Sequence, residues 1–288
     1  MLEYKNTGLN FVESLQLMSG DAGSSVAQFF STHTPADHPK DEPDVSSDKL
    51  TDLIKNFNDD QLKEFFHLDE TVTWIRNNGY KRVALQLPDH FLSRAYCIAK
   101  FIELSADVKT FLLADTSYRS CCVDEVAAAH ASCDAIVHYG DACLSALTEN
   151  IPVKFVFGSF PVDLSTFGEV KSYINLSDDT SVLLLTDACY SENLVKLAET
   201  IEQSLRPSRL FRAVVVDPSH KDALPDNPDC VLTLGRLVPQ EFCHASSVQV
   251  CFVGDPASPL LPLWLMTYPH CTSLLVFDPQ TSTFEERQ

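Results

Sequence analysis

From Leu68 onward the chain alternates apolar runs with amphipathic segments, and this alternation restricts the fold more than any other feature. The stretch D-E-T-V-T-W-I-R-N-N-G-Y has a helical period and a glycine stop. K-R-V-A-L-Q-L-P-D then reads as a buried strand ended by Pro88. An amphipathic helix from Phe91 to Leu104 and a strand from Val108 to Leu113 come next. They are followed by a short helix at V-D-E-V-A-A-A-H and strands at D-A-I-V-H-Y and V-K-F-V-F-G. Strands that alternate with helices predict a parallel α/β sheet.

Past a linker near Gly158 to Asp179 the pattern restarts. S-V-L-L-L-T reads as a strand, E-N-L-V-K-L-A-E-T-I-E-Q-S-L as a helix and F-R-A-V-V-V as a strand. After them come C-V-L-T-L-G, V-Q-V-C-F-V-G-D, a helix at L-P-L-W-L-M and S-L-L-V-F-D. The run from Asp134 to Gly140 overlays the run from Asp229 to Gly235 in length and in its strand-then-glycine pattern, which predicts a duplicated unit. The expected architecture is two similar parallel-sheet α/β/α domains in tandem, at residues 67–160 and 161–288. Residues 1–66 contain the polar, proline-punctuated S-T-H-T-P-A-D-H-P-K-D-E-P-D and read as a flexible, acidic, disordered arm, with one short helix near Leu50 to Phe57.

The formal charge of −19 disfavours nucleic acid and anionic membrane as general partners. No apolar stretch reaches the roughly 18 residues of a membrane span. The first residues show no secretory signal. A cytoplasmic protein with reduced thiols is the expectation. Of the ten cysteines, Cys97, Cys133, Cys189, Cys230, Cys251 and Cys271 are expected to pack as small apolar side chains.

Three of the other four stand in more unusual places. D-T-S-Y-R-S-C-C-V-D-E-V sets Cys121 beside Cys122 in a polar loop, and H-Y-G-D-A-C-L-S adds Cys143 after a further strand. Neighbouring cysteines bridge to each other only with strain. All three follow strand ends, where open α/β sheets gather functional residues, and so do Gly235 and Arg236 in the second unit. Soft thiolates converging from separate loops suit zinc or an iron–sulfur cluster, although no C-x-x-C pair is present. A Cys122, His138 and Asp124 constellation is the competing catalytic chemistry, and plain core packing in an α/β binding module is the third reading. Neither G-x-G-x-x-G nor G-x-x-x-x-G-K-[ST] occurs, which weakens a nucleotide-binding enzyme.

The segments E-T-V-T-W-I-R-N-N-G-Y-K-R-V-A-L-Q-L-P-D, D-T-S-Y-R-S-C-C-V-D-E-V-A-A-A-H and C-D-A-I-V-H-Y-G-D-A-C-L-S resemble the first domain of the diphthamide synthase family. The closing V-F-D-P-Q-T-S-T-F-E-E-R is similar to the end of its second domain. The resemblance implies radical transfer of the 3-amino-3-carboxypropyl group of S-adenosylmethionine to a histidine of translation elongation factor 2, with a [4Fe–4S] cluster. It places a cluster ligand at Cys121 or Cys122, with the other packed behind, and a second at Cys143. Where catalytic members carry Gly-Cys, this chain has Gly235-Arg236, and Arg119 replaces a usual glycine. The resemblance is therefore to the second, non-catalytic subunit of the eukaryotic heterodimer. Its implied role is to help reduce the catalytic subunit's cluster, with an electron-donor protein as a further partner. The family's third domain and its cysteine are expected to be absent, so that a cluster on this chain lacks its third ligand and binds poorly. The alternative is a metal-free α/β interaction protein that scaffolds the catalytic subunit.

Overall fold

The computed structural model describes residues 51–113, 122–145, 150–174, 181–203, 209–216 and 229–287. In the first half, β1 (Arg82–Gln86), β2 (Lys109–Leu113), β3 (Ala135–Tyr139) and β4 (Val153–Val156) form a parallel sheet in the order β2-β1-β3-β4. Its inner strands β1 and β3 are buried almost throughout because both faces are covered. Val83, Leu85, Val137 and Tyr139 enter a core shared with the helices Leu68–Asn78 and Ala95–Ala106. Ala84 and Ile136 alternate onto the other face, against Ala128 of the helix Glu125–His130.

The second half supplies β5 (Ser181–Thr186), β6 (Leu210–Arg212), β7 (Val214–Val215), β8 (Cys230–Thr233), β9 (Arg236–Pro239), β10 (Val248–Val253), β11 (Cys271–Asp278) and β12 (Thr283–Arg287). One sheet has the order β12-β11-β10-β5-β6 and is parallel except for β12 at its edge. Val182, Leu184, Cys251 and Val253 face one core, and Leu183, Leu185, Val250 and Phe252 the other.

The structure corrects three details of the sequence reading. F-R-A-V-V-V is not one strand: β6 ends at Arg212, and β7 joins a separate antiparallel sheet in the order β7-β9-β8. The run Asp229–Gly235 is not a second copy of Asp134–Gly140. Only Leu234 and Gly235 separate β8 from β9, and a two-residue connection can join antiparallel neighbours but cannot make a parallel crossover. Both turn residues have positive φ, 48° and 67°, the pattern of a tight hairpin. The repeat lies elsewhere. β1, a 3₁₀ turn at Asp89–Arg94 and the helix Ala95–Ala106 are matched by β5, a 3₁₀ turn at Ala188–Asn193 and the helix Leu194–Glu202.

The third correction concerns the arm. Residues 1–50 lie outside the described residues, but 51–66 belong to the first domain, because Ile54, Leu62 and Phe66 are buried in its core. A capping box, in which Asn58 and Gln61 exchange side-chain-to-backbone hydrogen bonds, starts the helix Asp59–Phe65 there. Most of the expected linker is likewise integral to the second domain, since Phe167 and Val170 are fully buried in its core.

Each parallel sheet has a switch point where consecutive connections leave in opposite directions, between β1 and β3 in the first and between β5 and β10 in the second.

Candidate functional site

The loop bearing Cys122 is fixed by the last residue of β1. Gln86 is buried, its Nε2 donates to the Cys122 carbonyl at 2.7 Å, and its Oε1 accepts from the Asp124 amide at 3.0 Å. Asp124 in turn accepts from the Ala127 amide at 2.8 Å and caps the helix Glu125–His130. Cys122 is therefore held from the sheet on one side and from a helix start on the other.

Cys143 follows β3 and is buried. Its Sγ lies 3.9 Å from that of Cys122 and 3.0 Å from Ser145 Oγ. Its carbonyl is held from the second domain: Arg236 Nη1 donates to it at 2.9 Å and to the Leu234 carbonyl at 2.7 Å. Beside this contact the β8–β9 turn presses on the same loop. A Cβ added to Gly235 would stand 2.4 Å from Leu144 Cβ, so the loop and the turn approach this closely only because residue 235 is glycine.

Two carboxyls complete the junction. Asp141 accepts from the Ala188 amide at 2.6 Å, tying the loop after β3 to the 3₁₀ turn after β5. Asp187, at the second switch point, accepts from Ser258 Oγ at 2.6 Å and from the Asp255 amide at 2.9 Å. Gly254 permits this, since a Cβ there would meet Asp187 Oδ2 at 2.2 Å. Burial raises the pKa of both carboxyls, and at Asp187 the Asp141 charge raises it further. Burial also lowers the pKa of Arg236, a fully buried cation, while the two carboxylates oppose that effect. Burial first, then the charges of Asp141 and Asp187, hold the Cys189 thiol neutral, with a pKa well above the usual value.

Of the three cysteines singled out in the sequence, Cys122 and Cys143 come together at one rim, and Cys121 lies outside the described residues. Gly235 and Arg236 meet them from the second domain. The catalytic constellation is not assembled in the same way: Asp124 is engaged as a helix cap, and His138 is fully buried on β3 with its ring against Phe155. Cys97, Cys133, Cys189, Cys251 and Cys271 sit in or against the hydrophobic cores, and none of the described cysteines is disulfide-bonded. Gln86, Asp141 and Asp187 were not anticipated. One signal for the last two was available, because Asp141-Ala142-Cys143 recurs as Asp187-Ala188-Cys189, each just after a strand.

The donor set suits a soft metal group. Two thiolates on one tetrahedral ion with bonds near 2.3 Å stand about 3.8 Å apart, the spacing of this pair. Ligands on separate irons of a four-iron cluster stand farther apart, so a cluster here would either spread this pair or use Cys121 rather than Cys122 beside Cys143. Arg236 Nε and Thr186 Oγ1, both buried, have no hydrogen-bond partner here, as is expected where a bound group or ordered water completes the set. Among the described residues, no group of three His, Cys, Asp or Glu side chains converges to hold a metal ion. None of the described helices is long and apolar enough to cross a membrane.

Several known proteins share this framework. The crystal structure of Dph2 from Pyrococcus horikoshii superposes with a TM-score of 0.52 at 20% identity, covering 77% of this chain and 60% of that one. The form of that protein with a 4Fe-4S cluster gives 0.51 at 19%. Two curated relatives are named 2-(3-amino-3-carboxypropyl)histidine synthase subunit 2. The one from Caenorhabditis elegans is 39% identical over 91% of this chain and 55% of its own length. The one from Xenopus laevis is 34% identical over 79% and 46%. The chain thus spans about half the length of the curated relatives it matches. Residues 87–288 match the family described as "Putative diphthamide synthesis protein". With well over half of its residues inside that match, and relatives named as the second synthase subunit across eukaryotes, the chain belongs to the diphthamide synthase family.

Proposed function

We propose that this chain acts in the first step of diphthamide biosynthesis as a subunit of the second, non-catalytic type. In this reading it supports transfer of the 3-amino-3-carboxypropyl group from S-adenosylmethionine to a histidine of translation elongation factor 2. It does so by helping to reduce the [4Fe–4S] cluster of a catalytic partner subunit. The observation that carries the reading is the convergence of the Cys122 and Cys143 thiols, from loops far apart in sequence, on one rim of the first sheet. The family match and the names of the relatives supply its context.

Cys143, with either Cys121 or Cys122, would ligate a cluster at this rim. Such a cluster supplies one-electron transfer when bound. Gln86 and Arg236 hold the two ligand-bearing backbones, and the packed loop and turn at Leu144 and Gly235 exclude water from that side. Arg236 offers no metal ligand, which fits a supporting rather than a catalytic part.

The test is reduction of the partner's cluster in an oxygen-free complex, with iron and sulfide measured alongside. Iron above the content of the partner alone, lost on Cys143→Ser, is the expected result. A variant with Cys121, Cys122 and Cys143 all changed to alanine that still supports reduction at the parent's rate overturns the reading in favour of a metal-free scaffold.

A further inference from the structure

Both cysteine loops are held by a side chain that grips the cysteine's own carbonyl, and the two grips differ in origin. For Cys122 the grip is internal to the first domain, since Gln86 reaches from the adjacent strand end. For Cys143 it comes from the other domain, through Arg236 at the start of β9. Arg236 is costly to place there. It is fully buried, and burial disfavours its charge. Asp141 and Asp187, one from each domain, offset that cost. Its guanidinium reaches carbonyls on both sides of the junction: Cys143 in the first domain, and Leu234 and, at 3.4 Å, Thr186 in the second.

We propose that Arg236 is a positioning residue: from the second domain it fastens the Cys143 carbonyl and so sets the direction in which the Cys143 thiol faces Cys122. A charged donor to a buried carbonyl makes a stronger hydrogen bond than a neutral one, and the planar fork fixes direction as well as distance. The turn at Gly235 against Leu144 adds a steric stop on the same loop, so hydrogen bond and contact together fix the backbone from which the thiol projects. The position where the resemblance predicts a ligand in catalytic relatives thus holds a brace for the neighbouring domain's cysteine. The inference deepens the cluster reading and rests on it for function, while the placement of the thiol can be tested without metal.

The experiment uses metal-free protein carrying Cys121→Ser, which leaves Cys122 and Cys143 as the pair at this rim. Diamide takes two electrons and two protons from the two thiols and is reduced to its hydrazine as the disulfide forms. The cross-linking rate, read by peptide mass spectrometry, therefore reports how often the sulfurs meet. Arg236→Met should slow the Cys122–Cys143 cross-link about tenfold, as expected when a charge-assisted hydrogen bond is lost. Arg236→Lys, which keeps the charge and one donor, should recover much of the rate. Asp187→Asn/Arg236→Met, in which one stranded carboxylate is neutralised, should behave as Arg236→Met does and guards against unfolding of the single variant. Thermal melts confirm that each variant is folded.

Cross-linking at the parent's rate in folded Arg236→Met, or equal slowing in Arg236→Lys and Arg236→Met, overturns the proposal. A parallel oxygen-free iron reconstitution of the complex with the catalytic partner, Cys121 intact, separates the two readings. If it yields no iron above the partner's own content while the cross-linking order holds, positioning stands and the cluster reading fails.

Discussion

Gln86 closes both ends of its amide on the backbone around Cys122, donating to the Cys122 carbonyl at 2.7 Å and accepting from the Asp124 amide at 3.0 Å. Gln86→Ala leaves one buried acceptor and one buried donor without their partners, at a cost of about 1–3 kcal/mol. The urea midpoint should fall accordingly, and hydrogen exchange at the Asp124 amide should accelerate. Gln86→Glu keeps the acceptor and loses the donor, so it should protect the Asp124 amide while releasing Cys122. Unchanged exchange in Gln86→Ala would show that the loop is held by something else.

Gly235 is required by close approach as well as by its φ of +67°. Gly235→Ala should destabilise the protein by about 1–3 kcal/mol, from backbone strain and overpacking together. Leu144 has φ of 54°, so Leu144→Gly both removes the obstructing Cβ and suits that backbone. The double variant should regain part of the loss. Strictly additive costs in the double-mutant cycle would mean that the two residues do not press on each other.

Asp187 has its pKa raised well above the usual carboxylate value, first by burial and then by the Asp141 charge. The folded state therefore holds its proton to higher pH than the unfolded chain, whose aspartates titrate near about 3.9. Stability from this group falls as pH rises from about 4 through the folded value, and is flat above it. Asp187→Asn should lack that decline, so its stability relative to the parent should improve with rising pH across the window. Parallel stability curves for the two proteins between pH 4 and 8 would exclude the assignment.

Burial pushes the thiols of Cys133 and Cys251 up to about 11 and about 12. At pH 8 only about one part in a thousand or less of either is thiolate, so both should resist iodoacetamide in the folded protein. Both should be labelled fully in denaturant. Cys122, half-buried at the rim, should be labelled before them in metal-free protein. Rapid labelling of Cys251 without unfolding would contradict its place inside the second sheet.

Periodicity and composition are local properties, and what they determined is local. The apolar runs R-V-A-L-Q and S-V-L-L-L-T, each followed by a helical stretch, sufficed for parallel sheets covered on both faces, for two units, and for cysteines past the strand ends. They misplaced the repeat, because β8 reads as a strand whichever sheet receives it, and only the two-residue turn to β9 shows it to be antiparallel. They set residues 51–66 outside the domain, because Ile54, Leu62 and Phe66 look sparse until they meet one common core. The site itself was half visible. Tertiary structure decided that Gln86, Asp141, Asp187 and Arg236 gather about the loops that carry the two thiols, since three follow the ends of β1, β3 and β5 while the fourth opens β9, and only the packed chain brings these separate segments together.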